Sequence, residues 1–72
     1  MAEQLTNYFN YAEINSNNRC KGVHSYEEEP LSIPEGWVAI PVYDPEYLGK
    51  YYINGNWYED AAGTIPWQSA LI

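Results

Sequence analysis

The residues best suited to chemistry are Cys20 and His24, which would serve as a nucleophile with its base or as two metal ligands. On one continuous strand, their even spacing places them on the same face about 13 Å apart, four residues at roughly 3.3 Å each, too far for a direct hydrogen bond. No signature of a cysteine enzyme surrounds Cys20. We therefore expect Cys20 to be a half-buried thiol and His24 to lie at the surface.

The acidic residues offer two further kinds of site. Residues 27–29 are three adjacent glutamates, whereas calcium loops place their oxygen ligands at alternate positions around a glycine. Asp44 with Glu46, or Glu59 with Asp60, would be an acid/base pair, but a glycosidase needs a cleft that so short a chain can hardly form. The sequence predicts a protein that is not an enzyme, with no catalytic residue, no metal and no cofactor.

Charge and length narrow the function classes. The chain has 72 residues, with 10 Asp plus Glu against 3 Lys plus Arg, and a formal net charge of -7. This charge disfavours binding to nucleic acid and to an anionic bilayer. A single cysteine excludes an internal disulfide, and the N-terminal residues lack the basic start and apolar stretch of a signal peptide. We expect one small domain over residues 1–72.

Aromatic residues make up 17% of the chain and favour strands over disorder. Residues 8–14 and 19–26 predict a hairpin around the turn at residues 15–18, with Gly22 at a bulge or a close approach. Residues 27–36 predict a loop, and residues 37–42 a central strand. Because Pro41 has no N–H, that strand needs an edge or a bulge beside it. Residues 44–49 predict one helical turn or a tight loop, in which Asp44 is suited to the cap and Gly49 to the C-terminal stop.

Asn54-Gly55 predicts a type I′ hairpin over residues 50–59, because both central residues of that turn need positive φ. The resulting register pairs Ile53 with Asn56, Tyr52 with Trp57, Tyr51 with Tyr58 and Lys50 with Glu59. Each aromatic or opposite-charge pair across the strands contributes roughly 0.2–1 kcal/mol.

The sequence thus predicts an all-β fold, a small single antiparallel sheet or hairpin domain with extended terminal arms. The arms are residues 1–7 and 60–72, and the β core is residues 8–59. The apolar C-terminal arm is expected to cover either its own hairpin or a neighbouring subunit. Aromatic residues on both faces of one hairpin exceed what a lone sheet can bury, so we expect them to bind other molecules. The candidate interface residues are Tyr51, Tyr52, Trp57, Tyr58, Trp67, Leu71 and Ile72.

Three segments carry a resemblance to a known group of proteins. They read YAEINSNNRCKGV at residues 11–23, IPEGWVAIP at residues 33–41 and LGKYYINGNWYE at residues 48–59. In this order they resemble small accessory and structural proteins of tailed bacteriophages, which include tail, tail-fibre, baseplate and head-decoration components. The resemblance covers residues 8–60, and the apolar tail after Glu59 departs from it.

The resemblance implies a non-enzymatic structural component of a virion, made in the cytoplasm of the host bacterium. Its implied partners are other virion proteins, in multiple copies within a symmetric assembly, with no nucleic acid or membrane partner. Such an assembly would cover sheet edges and aromatic faces that a monomer leaves open.

A binding module is the alternative function. Exposed rings stack on sugars, so Tyr52, Trp57 and Trp67 are candidates for binding a host-surface carbohydrate. The negative charge would instead suit an acidic inhibitor of a basic host protein.

Overall fold

The computed structural model describes residues 8–72, so the predicted arm at residues 1–7 lies outside the described residues. Within the described part, the strands are β1 (Phe9–Ile14), β2 (Cys20–Tyr26), β3 (Trp37–Ile40), β4 (Tyr51–Ile53) and β5 (Asn56–Tyr58). They form a three-stranded antiparallel sheet in the order β2-β1-β3 and a separate β4–β5 hairpin. The predicted all-β class is confirmed.

The asparagine-rich turn between β1 and β2 forms as predicted. The Oδ1 atom of Asn15 accepts hydrogen bonds from the backbone N–H groups of Asn17 (2.9 Å) and Arg19 (3.0 Å). Asn18 adopts a left-handed conformation with φ 68°, which asparagine tolerates better than most residues. The side chain of Asn15 therefore satisfies two backbone N–H groups of the turn and stabilises the reversal of the chain.

A β-bulge interrupts β2. Glu13 pairs with Gly22 while the next residue, Ile14, pairs with Cys20, so Lys21 is the additional residue. Gly22 is also a close approach, because a Cβ there would lie 2.9 Å from Oε1 of Glu13. The sequence offered a bulge or a close approach at Gly22, and the structure contains both.

The bulge places Cys20 and His24 on opposite faces of the sheet. Cys20 pairs with Ile14, whereas His24 pairs with Tyr11, which is three residues away and so points to the other side. The expectation that both side chains share one face was wrong, because the extra residue reverses the alternation.

The third strand differs from its prediction in length and position. It ends at Ile40, two residues short of the predicted end at Val42, because Pro41 has no N–H with which to extend the ladder. It also lies at an edge of the three-stranded sheet, whereas the prediction made it the central strand, and β1 occupies the centre. Val42 is nevertheless buried beyond the strand.

The Asn-Gly hairpin has the predicted turn and register. Asn54 and Gly55 have φ values of 53° and 85°, as a type I′ turn demands. The ladder pairs are Tyr51 with Tyr58, Tyr52 with Trp57 and Ile53 with Asn56.

The predicted Lys50–Glu59 pair was wrong. The ladder stops at Tyr51 and Tyr58, since the backbone N–H of Glu59 donates to the carbonyl of Ile65 at 2.8 Å. The Nζ atom of Lys50 instead donates to the backbone carbonyl of Glu46 at 3.2 Å. The C-terminal segment thus diverts β5 at the position where the ion pair would form.

A 3₁₀ turn, Pro45–Tyr47, lies between the two sheets in the chain and confirms the turn predicted at residues 44–49. The carboxyl oxygen of Asp44 accepts from the N–H of Glu46 at 2.9 Å, and Gly49 leaves the turn with φ 86°. The turn places Tyr47, which is 2% exposed, at the centre of the core.

The core forms between one face of the three-stranded sheet and the rings of the hairpin end. Trp57 and Trp67 contact Tyr47 edge-on, with ring centroids 4.8 Å and 4.9 Å away. The buried core residues are Ala12, Cys20, Ile40, Val42 and Tyr47. Edge-to-face aromatic pairs stabilise a fold beyond the contribution of their buried apolar area. Tyr47 therefore connects the three-stranded sheet to the hairpin through its contacts with the two tryptophans.

The C-terminal segment folds back along its own hairpin. The N–H of Trp67 donates to the carbonyl of Trp57 at 3.0 Å, and Tyr58 bridges to Pro66. Further on, the buried hydroxyl of Ser69 donates to the buried carboxyl group of Asp44. The sequence left open whether this segment covers its own hairpin or a neighbouring subunit. In the structure it covers its own hairpin.

Replacing Tyr47 with alanine should unfold the protein. Large-to-small substitutions of buried aromatic side chains cost about 3–5 kcal/mol, a large part of the stability of a small domain. The matched control is Tyr43→Ala, because the Tyr43 side chain is 39% exposed and close in sequence. Urea denaturation followed by circular dichroism measures both, and equal losses for the two variants would contradict a core centred on Tyr47.

Replacing Ser69 with alanine should destabilise the chain by about 1–3 kcal/mol, because it leaves the buried carboxyl group of Asp44 without this donor. Ser16→Ala, in the exposed turn, serves as the control. Thermal melting compares the two variants, and an unchanged midpoint for Ser69→Ala would show that the C-terminal segment is not held through Asp44.

Candidate binding surface

The sequence-predicted interface residues gather at the hairpin end of the molecule. Tyr51 and Tyr58 pair across one face of the hairpin, while Tyr52 and Trp57 pair across the other with ring centroids 5.0 Å apart. All four side chains are half-buried. Trp67 reaches the same group of rings by packing against Tyr47. The structure therefore places these five aromatic residues at one end of the molecule but divides them between two faces of the hairpin.

The tryptophans of this group are partly used by the protein's own core. Both pack against Tyr47, and the Nζ atom of Lys50 lies 4.9 Å from the ring centroid of Trp67. A sugar platform needs open, coplanar ring faces. The predicted sugar-binding set of Tyr52, Trp57 and Trp67 thus has less ring face available than the sequence suggested.

The last two candidate residues lie at the C-terminus. Leu71 and Ile72 are 59% and 62% exposed. The backbone N–H of Leu71 donates to the Ser69 hydroxyl at 3.1 Å, and this bond holds the end of the chain close to the core. Their apolar side chains therefore remain at the surface of the folded chain.

A second aromatic surface, which sequence analysis did not single out, lies on the outer face of the three-stranded sheet. This face carries the β1 residues Phe9, Tyr11 and Glu13 and is opposite to the core. The loop between β2 and β3 folds beside it and leaves an open groove of about 240 Å³. The residues that line the groove are Tyr11, Tyr26, Pro30, Ser32, Ile33, Pro34 and Trp37.

The rings of this groove are tilted against one another. Tyr11 lies 6.2 Å from Tyr26 at 51° and 6.4 Å from Trp37 at 41°, measured between ring centroids and planes. Centroid separations in this range are those of aromatic rings in contact. The groove is bounded by these rings and by the loop residues Pro30, Ile33 and Pro34, so its walls are mainly apolar.

A charged network borders the groove at Trp37. The ring of His24 stacks on that of Trp37 at 4.1 Å and 5°, and its Nε2 atom lies 3.0 Å from Oε1 of Glu13 in a hydrogen bond. The Nζ atom of Lys21 lies 3.4 Å from the other carboxylate oxygen. The hydrogen bond with His24, and after it the interaction with Lys21, lower the pKa of Glu13 below its ordinary value of 4.5. This network fixes the Trp37 ring from one side.

The carboxylates considered for catalysis have structural roles. Asp44 caps the 3₁₀ turn and accepts from Ser69. Asp60 accepts from the side-chain hydroxyl of Thr64 and from the N–H groups of Thr64 and Ile65, and these bonds lower the pKa of Asp60 below 3.8. Both groups therefore organise turns.

The thiol of Cys20 is buried, and its Sγ atom donates to the carbonyl of Gly22 at 3.3 Å. Burial raises the pKa of the thiol above 9.0, which keeps it protonated at neutral pH. A nucleophilic cysteine needs the opposite shift.

Over residues 8–72, no three His, Cys, Asp or Glu side chains come together in a group that could hold a metal ion. The same residues include no helix with the length and apolar character that a membrane crossing requires.

The sequence did not predict the groove, because its lining residues come from β1, from β2 with the loop that follows it, and from β3. A signal was present: Phe9 and Tyr11, and likewise His24 and Tyr26, alternate with period two and so share a face of their strand. The β1 pair and the β2 pair lie on the same face of the sheet, and this is known only once the bulge at Lys21 fixes the register between the two strands. The pairing of β1 with β3, which brings in Trp37, has no local signal in the sequence.

Acid should destabilise the protein partly through Glu13. Because its folded-state pKa is lowered, Glu13 contributes stability above the unfolded value of 4.5 and loses it as pH falls through the lower folded-state value. The urea midpoint should drop as pH falls below 4.5, and Glu13→Gln should reduce that drop. Glu46→Gln, at an exposed position, should leave the drop unchanged. An identical drop in Glu13→Gln would contradict the role of this network.

Comparison of the chain with models of known protein families, with curated proteins and with solved structures finds no match in any of the three.

Proposed function

We propose that this protein is a non-enzymatic structural component of a tailed-phage virion, which binds other virion proteins through its exposed aromatic surfaces. The observation that carries the proposal is the incomplete burial of the rings. The chain has eight tyrosines, three tryptophans and one phenylalanine, and of these only Tyr11 and Tyr47 are buried. Tyrosine and tryptophan left at a surface are the residues that protein interfaces use as anchors.

The open edges of the three-stranded sheet support the same proposal. Within residues 8–72, β3 pairs with β1 and has no strand on its other side. On β2, the start of the strand is bonded to the chain before β4, through the N–H of Cys20 and the carbonyl of Lys50 at 2.8 Å. A repeated assembly covers such edges, whereas an isolated molecule leaves them available for pairing.

The resemblance of residues 8–60 to small tailed-phage proteins gives the proposal its biological setting. A virion component needs a rigid scaffold with anchors at its surface, and the two sheets joined through Tyr47 suit this requirement.

The experiment uses particles produced from the genome that encodes the chain. After density-gradient purification, mass spectrometry should detect the chain in the particle fraction at a fixed ratio to the other virion proteins. The purified chain alone should self-associate in sedimentation analysis, or melt at a higher temperature when its virion partner is added. A stable monomer that is absent from the particles would overturn the proposal.

A matched pair of variants tests the predicted interface residues. Leu71 and Leu48 are both exposed leucines, at 59% and 50%, and only Leu71 belongs to the predicted set. Leu71→Ser should reduce incorporation into particles several-fold, while Leu48→Ser should leave it near the unchanged level. Equal incorporation of both variants would remove the C-terminus from the interface.

A further inference from the structure

The groove on the outer face of the three-stranded sheet has the features of a binding site for one class of peptide. It is lined by Tyr11, Tyr26 and Trp37 on the sheet side and by Pro30, Ile33 and Pro34 on the loop side. Aromatic-lined grooves bind the polyproline II conformation, because its rigid, extended backbone loses little entropy on docking.

The lining also carries the hydrogen-bond donors that such a peptide needs. Tyr11, Tyr26 and Ser32 have hydroxyl groups, and Trp37 has an indole N–H. A polyproline II segment has no internal hydrogen bonds, so its carbonyl groups are available to donors of this kind. The loop side of the groove, formed by Pro30, Ile33 and Pro34, is apolar and favours contact with apolar residues of a peptide.

Charge identifies what should flank the apolar part of the peptide. The three glutamates at residues 27–29 lie in the chain between the lining residues Tyr26 and Pro30, and Glu35 directly follows the lining residue Pro34. All four carboxylates are exposed. They place negative charge beside the two loop segments that form the groove, and they favour a partner with Lys or Arg next to its apolar residues.

The chain's own cations already have partners. Lys21 lies against Glu13, Lys50 lies over Trp67, and the guanidinium carbon of Arg19 lies 6.0 Å from the ring centroid of Tyr51. A second copy of the chain would moreover bring a charge of -7 to an acidic groove. Like charge therefore disfavours self-docking at this site.

We propose that the groove binds an extended, proline-containing segment of a partner protein, with arginine or lysine beside the prolines. This inference rests on the proposed function, because it names the chemistry of a partner for one of the exposed aromatic surfaces. Tyr26 and Ile33 contact the apolar residues of the segment, and the carboxylates of Glu28 and Glu29 attract its cations.

The test is a titration of the full chain with a short fluorescein-labelled peptide in which arginines flank alternating prolines and leucines. Fluorescence anisotropy should show saturable binding, which weakens as NaCl rises from about 20 mM to about 200 mM because salt screens the charges. The same peptide with glutamates in place of the arginines should bind at least about tenfold more weakly.

Two matched pairs of variants locate the site. Tyr26 and Tyr43 are both 39% exposed, and only Tyr26 lines the groove. Tyr26→Ala should weaken binding about tenfold or more, and Tyr43→Ala should stay within about twofold. Should Tyr26→Ala lose its native melting transition, Ile33→Ala against Ile65→Ala gives the same comparison, since both isoleucines are exposed and only Ile33 lines the groove. The double variant Glu28→Gln/Glu29→Gln should weaken the salt dependence of binding, because it removes two of the four carboxylates beside the groove, whereas Glu46→Gln/Glu59→Gln should leave that dependence unchanged.

Three results would overturn the inference: no saturable binding, equal binding of the arginine and glutamate peptides, or equal losses in Tyr26→Ala and Tyr43→Ala. Saturation by maltohexaose instead of the peptide would make the groove a carbohydrate site and would also overturn it. The particle experiment separates this inference from the proposed function. If the chain is present in particles but does not bind the peptide, only the groove assignment is refuted. If the chain is absent from particles but binds the peptide as expected, only the virion role is refuted.

Discussion

The edge-to-face packing of Tyr47 with Trp57 and Trp67 connects the two sheets of this protein. A two-stranded hairpin is marginal in water, and a three-stranded sheet needs a covered face to be stable. Tyr47 meets both needs, because it lies under the three-stranded sheet and contacts Trp57 and Trp67 of the hairpin end. The 3₁₀ turn that carries it is fixed by the cap at Asp44 and by the proline that follows. The unusual aromatic content is thus partly a structural requirement of a small chain.

The same constraint leaves the rest of the aromatic surface uncovered. A domain of this size buries a smaller share of its surface than a larger one, and here a single core lies between the sheets. Among residues 8–72, the loop of residues 27–36 lies beside the outer face of the three-stranded sheet, and the C-terminal segment lies beside the hairpin. Exposed rings follow from the architecture, and contiguous apolar surface of this kind is typical of interaction sites.

Local features of the fold could be predicted from the sequence, and long-range ones could not. The register of the second hairpin depends on two adjacent residues, Asn54 and Gly55, whose positive φ values leave one way to close the turn. The position of β3 depends on pairing with β1 across more than twenty intervening residues, and no residue in either strand specifies that partner. The bulge at Lys21 lies between these extremes. Gly22 indicated that a bulge lies near this position. That the bulge places Cys20 and His24 on opposite faces follows only from the observed strand pairing.

The two aromatic surfaces differ in their electrostatic setting, and this difference suits them to different partners. Four exposed carboxylates adjoin the groove, so its surroundings carry mainly one sign of charge. At the hairpin end both signs occur, with Arg19 and Lys50 against rings and Glu46, Glu59 and Asp60 nearby in the chain. Identical copies repel one another through a surface of one sign, whereas a mixed surface allows opposite charges to meet across a symmetric contact. In the proposed virion role, contacts between copies of this chain would therefore form at the hairpin end, and the groove would take the proposed partner of opposite charge.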